Sequence, residues 1–153
     1  MKYDDASWHF ESTPEGSEDE RWKAAAAHIG VYLKWCLVRG WASPLLLEGD
    51  EDAARVEQVR SGSLTGTAFL NDWCDSKFID DLLVDEANAF TAYYYNGDYI
   101  SDVELLVRGK LLSAAEEAYD FPRLQKVMDT RYDEWVSLGR PSKKPKKPWW
   151  KIW

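Results

Sequence analysis

The stretch from Glu20 to Arg39 constrains the fold more than any other part of the chain. Trp22, Ala25, Ala26, Ile29, Leu33, Cys36 and Leu37 recur at three- and four-residue intervals, which puts them on one face of an α-helix. Such a stripe has to be buried against other elements. Gly30 lies on the same stripe, where a missing side chain lets a second backbone approach. Gly40 follows at a position suited to ending the helix.

The remaining periodic segments are shorter. Asp50 is placed to cap a helix from about Glu51 to Arg60, which Gly62 ends. Pro44 and Gly49 bracket a loop or short turn around Leu45–Leu47. Thr65 is a cap candidate before Phe69, Leu70, Trp73 and Cys74. A helix from about Asp85 to Tyr95 turns Ala87, Phe90, Tyr93 and Tyr94 inward, and Asn96-Gly97 is expected to break it. Asp98 caps the next helix, with Tyr99, Val103, Leu106 and Val107. Ser113 and Glu116 have capping-box spacing. The last helix follows Pro122 and packs through Leu124, Val127, Met128, Arg131, Trp135 and Leu138, with Gly139 as its stop. Residues 1–19 read as an irregular entry segment. Leu45–Leu47 and Lys77–Ile79 are too short to count as strands. The expected fold is all-α: a compact bundle of five to seven short helices over residues 1–140, with an extended C-terminal tail over 141–153.

The tail changes composition. Pro141, Pro145 and Pro148 exclude a regular helix, and five lysines repel one another. Its Trp149-Trp150-Lys151-Ile152-Trp153 end resembles a membrane-interface segment. Folding back on the body and insertion into a partner are the competing readings. Without those five lysines, residues 1–140 carry 14 Lys and Arg against 27 acids, a net charge of -13. That body is unsuited to direct contact with nucleic acid phosphates and suited to a basic protein partner. No apolar run approaches the ~20 residues of a spanning helix, and the start of the chain has no signal-peptide pattern, so the expected location is cytoplasmic. Cys36 and Cys74 sit in apolar patterns and are expected as free thiols. The chain holds nine tryptophans, more than a core of this size needs, so some are expected at the surface.

No nucleotide-binding, nucleophile-elbow or metalloprotease motif is present. His9 and His28 are the only histidines and stand on different segments. The reading is therefore no metal, no cofactor and no catalytic residue, with His28 a hydrogen-bonded packing histidine. The candidate site is a docking surface: Asp80, Asp81, Asp85, Glu86, Asp98 and Asp102 with Tyr93, Tyr95 and Tyr99. Tyr93, Tyr94 and Tyr95 are consecutive, and at about 100° per residue they cannot all face the core.

The opening MKYDDASWHFES and the helix Ala27-His28-Ile29-Gly30 through Trp35-Cys36-Leu37 resemble a family of bacterial proteins. Further matching strings are Leu64-Thr65 to Phe69-Leu70, Cys74-Asp75 with Lys77, Asn88-Ala89-Phe90 with Tyr94, Asp98-Tyr99, and Arg131 to Trp135. Small acidic members of that family are similar to polymorphic-toxin immunity proteins. The resemblance implies an immunity protein that neutralises a cognate toxin or effector by direct binding. The alternatives are a hydrolase or transferase built from clustered carboxylates and His9, and an adaptor with a membrane-touching Lys/Trp tail.

Overall fold

A computed structural model describes residues 1–142 of the chain. The fold is mainly helical, with one small two-stranded sheet. The helices are α1 (Glu18–Val38), α2 (Pro44–Leu47), α3 (Asp50–Ser61), α4 (Gly66–Trp73), α5 (Asp85–Tyr94), α6 (Ile100–Val107) and α7 (Phe121–Ser137). The strands are β1 (Lys2–Asp5) and β2 (Lys77–Ile79). All of the tail from residue 143 onward lies outside the described residues.

Helix α1 is the centre of the molecule. It starts at Ser17, whose hydroxyl accepts from the Glu20 amide while the Glu20 carboxylate accepts from the Ser17 amide. These two bonds satisfy amides that the first turn leaves unpaired. From Ala24 to Leu33 every residue is buried. The helix is therefore covered all round, where a single stripe was expected. Its four consecutive alanines make this possible by keeping the surface narrow on every side. At Gly30 the α1 backbone lies directly against Gly66 and Thr67 at the start of α4, as the bare position on the stripe requires.

Thr65 caps α4 through its hydroxyl, which accepts from Ala68. A second cap comes from far along the chain. The Glu116 carboxylate accepts from the amides of Gly66 and Thr67 at 3.2 and 3.3 Å. The expected Ser113–Glu116 capping box does not form, because this long-range contact uses Glu116 and residues 116–118 make only a 3-10 turn. Asp50 begins α3 inside its first turn, with Gly49 at the cap position, and Gly62 ends the helix with a left-handed backbone. Asp120 caps α7.

Two sequence expectations fail in instructive ways. The entry segment is not irregular: β1 pairs antiparallel with β2, Asp4 opposite Phe78 and Asp5 opposite Lys77. Both strands are three or four residues long, too short for alternation to register. Asn96-Gly97 does not break the chain either. Residues Tyr95–Tyr99 form a π-helical turn that joins α5 to α6. The wider turn changes which residues point inward. Tyr94, Tyr95 and Tyr99 all enter an aromatic core with Tyr32, Trp35, Phe78, Phe90 and Trp135. Tyr95 and Tyr99 stack at 5.1 Å, and each meets Tyr32 edge-on at 4.8 Å, separations at which ring pairs attract.

Candidate functional site

Asp4, on β1, is a buried acid with four polar partners among the described residues. It is 6% exposed. Its Oδ1 accepts from the Asp5 amide at 2.8 Å and lies 2.6 Å from His9 Nε2. Its Oδ2 lies 3.2 Å from His28 Nε2 and accepts from the Tyr95 hydroxyl at 2.9 Å. Four elements supply these groups. The strand provides Asp4, the turn after Ala6–Trp8 provides His9, α1 provides His28, and the π turn provides Tyr95. The Tyr99 hydroxyl donates to the His28 carbonyl and fixes the same stretch of α1.

The two imidazoles meet edge to face, 4.8 Å between centroids. Ligand-type atoms of Asp4, His9 and His28 all lie within 4.8 Å of one another. The expectation that the histidines stand apart is thus corrected: sequence distance did not measure spatial distance, because β1 folds back beside α1. His28 does pack as a buried, hydrogen-bonded histidine, as expected. However, its Nδ1 is buried with no hydrogen-bond partner among the described residues. His9 is more open, with a side chain 28% exposed. A cleft of about 280 Å³ borders the cluster, lined in part by Trp8, Asn96, Ile100, Leu111 and Leu112.

Burial alone would raise the Asp4 carboxyl pKa, but hydrogen bonds from His28 and His9 outweigh it and hold it well below the carboxylate range. The hydrogen bond to Asp4 raises His9. Burial lowers His28 despite the same partner. Asp4 is therefore held ionised, while His9 keeps a proton more readily, and His28 less readily, than a free imidazole. Such a group can stabilise an imidazolium, exchange a proton through His9 at the cleft, or present imidazole nitrogens to a metal ion.

The residues expected to form a docking surface are divided by the fold. Asp81 and Asp85 are exposed. Asp80 pairs with the N-terminal ammonium at 2.5 Å. Glu86 accepts from Arg140 and from the Tyr132 hydroxyl, both at 2.8 Å. Tyr93 and Asp98 are half-buried, and the Tyr93 ring lies 6.4 Å from Trp135. Tyr95, Tyr99 and Asp102 are withdrawn from the surface. Tyr95 and Tyr99 are core rings because of the π turn. Asp102 is 8% exposed and binds Arg131 through both oxygens at 2.9 Å, with Tyr94 donating to Oδ2.

The residues missed at the sequence level are Asp4 and His28 as partners of His9. The only signal for them lies in the two strings that carry the family resemblance, since Met1–Ser12 holds Asp4 and His9, and Ala27–Leu37 holds His28. A family model described as a domain of unknown function, DUF7832, matches residues 2–118. The chain belongs to the DUF7832 family. The matched region holds the whole Asp4–His9–His28–Tyr95 cluster, the Gly30–Gly66 contact and the Glu116 cap, and it ends before α7. No curated protein and no solved structure matches the chain.

Proposed function

We propose that this DUF7832 protein acts by binding another protein, and that it neutralises a cognate bacterial toxin or effector domain with a basic surface. The observation that supports this most is a pair of exposed leucines on α2, with acidic residues near both of its ends. Leu45 and Leu47 are 57% and 48% exposed. Each is apolar surface on a short helix that a partner would cover. The segment just before α2 runs beside residues 81–84, through bonds from Ser43 to Leu82 and from Val84 to Trp41. This brings Asp81 and Asp85 close to the start of α2, while Glu48 and Asp50 follow its end.

Glu48, Asp50, Asp81 and Asp85 make no ion pair among the described residues. Residues 41–54 and 78–107 contain no lysine or arginine. A basic partner would be steered toward this face and held by the leucines. Binding of this kind requires no catalysis. The expected tyrosine anchors give way here to Leu45 and Leu47, since Tyr95 and Tyr99 are core residues.

The test is co-purification with the product of an adjacent toxin-like gene, using wild type and Leu45→Asp with Leu47→Asp. The reading predicts a one-to-one complex that the leucine variant loses while keeping its helical circular dichroism. A complex that survives the leucine variant intact rules out this face.

A further inference from the structure

We infer that Asp4, His9 and His28 bind one divalent transition-metal ion of the zinc class, through Nε2 of each histidine and one carboxylate oxygen. Two imidazoles and a carboxylate are a donor set that zinc and its neighbours accept, with a position left for water or another small ligand. Ions of this kind sit about 2.0–2.2 Å from such atoms, so tetrahedral ligands lie about 3.4 Å apart. His9 Nε2 lies 2.6 Å from Asp4 Oδ1 and His28 Nε2 lies 3.2 Å from Asp4 Oδ2, and one ligand atom from each of the three residues falls within 4.8 Å of the others.

The carboxylate, unlike His28, has the partners that orient a metal ligand. The Tyr95 hydroxyl and the Asp5 amide hold the carboxylate from outside, which fixes the face it turns toward the imidazoles. The cleft beside the three ligands gives a remaining ligand somewhere to lie.

Hydrogen bonding within the protein explains His28 poorly. Among the described residues, a ring 1% exposed is held by one 3.2 Å bond at Nε2, and Nδ1 has no partner. Burying an imidazole with so little compensation is unfavourable. A metal–nitrogen bond at Nε2 would replace that 3.2 Å contact with a bond of about 2.0–2.1 Å. The bound ion would pin the entry segment to α1.

The test uses tag-free full-length protein freed of metal by chelator and dialysis. Zinc(II) is titrated by calorimetry, and cobalt(II) is followed by its visible absorption. The expected result is one equivalent of either ion, visible cobalt bands of a four- or five-coordinate site, and a higher Tm with zinc. His9→Ala, at a half-open position that leaves the core intact, should weaken zinc binding by at least ~100-fold and abolish the cobalt bands. Tyr95→Phe should weaken it by about tenfold, the scale of losing an outer-shell partner. No saturable binding by wild type overturns the inference. So does zinc binding that His9→Ala leaves unchanged, which would place the ion among surface carboxylates.

Discussion

Replacing Gly30 with alanine should destabilise the protein, although the same change in an ordinary helix stabilises it. A Cβ built on Gly30 would stand 2.6 Å from Thr67 Cα and 2.7 Å from the Gly66 carbonyl carbon. Carbon atoms in comfortable contact are about 3.5–4.0 Å apart. The obstruction is backbone, so no side chain can rotate away, and α1 and α4 have to separate by roughly 1 Å. Adding a methyl group to a packed core costs about 1–3 kcal/mol, and a rigid neighbour places this site at the upper end. Alanine returns about 1 kcal/mol through its greater helix propensity. The net loss is about 2 kcal/mol, or roughly 4–8 °C in Tm for a domain of this size. Gly66→Ala should behave alike, since its Cβ would meet the Gly30 carbonyl oxygen. The double variant should lose less than the sum, because the second methyl enters a contact already opened. Urea denaturation and thermal melts measure all three. A Gly30→Ala protein as stable as wild type, or more stable, would refute the close helix contact.

Two further outcomes follow from the polar network. The Asp4–His9 interaction raises the His9 pKa on folding, so its stabilisation is complete below about 6.5, the free imidazole value, and is lost as pH rises through the folded value. The stability difference between wild type and His9→Gln should shrink on going from about pH 5 to pH 9; a difference that grows with pH would contradict the pairing. Arg131→Ala should cost about 2–3 kcal/mol in urea melts, less than a fully buried pair because the guanidinium is partly exposed, and Asp102→Asn in the Arg131→Ala background should recover part of the loss. If Arg131→Ala melts like wild type, Asp102 does not depend on that partner.

The fold was legible where one residue's chemistry acts on its immediate neighbours in the chain. The helical span of α1, the left-handed stop at Gly62 and the Thr65 cap belong to this class, and the bare position at Gly30 was legible although its partners Gly66 and Thr67 were not. Features built by distant pieces were not. Glu116 reads as a local cap, yet it serves a helix 50 residues earlier. Tyr95 turns inward only because a π turn adds a residue to the helical period. The Asp4–His9–His28 cluster depends on β1 folding beside α1, and a four-residue strand leaves no periodic trace. Tryptophan behaved as its number suggested: Trp35 and Trp135 are buried, while Trp8 is 60% exposed. Cys36 and Cys74 are free thiols, and burial pushes the Cys74 thiol up to about 12.

Binding through the acidic face around α2 is tested most directly by association kinetics with the purified partner at several salt concentrations. Asp81→Asn with Asp85→Asn should slow association and flatten its dependence on salt, while leaving dissociation nearly unchanged. Leu45→Ala with Leu47→Ala should instead speed dissociation, by about tenfold or more if the pair is a hot spot. If both variants associate and dissociate as wild type does, the acidic face around α2 is not where this protein meets its partner.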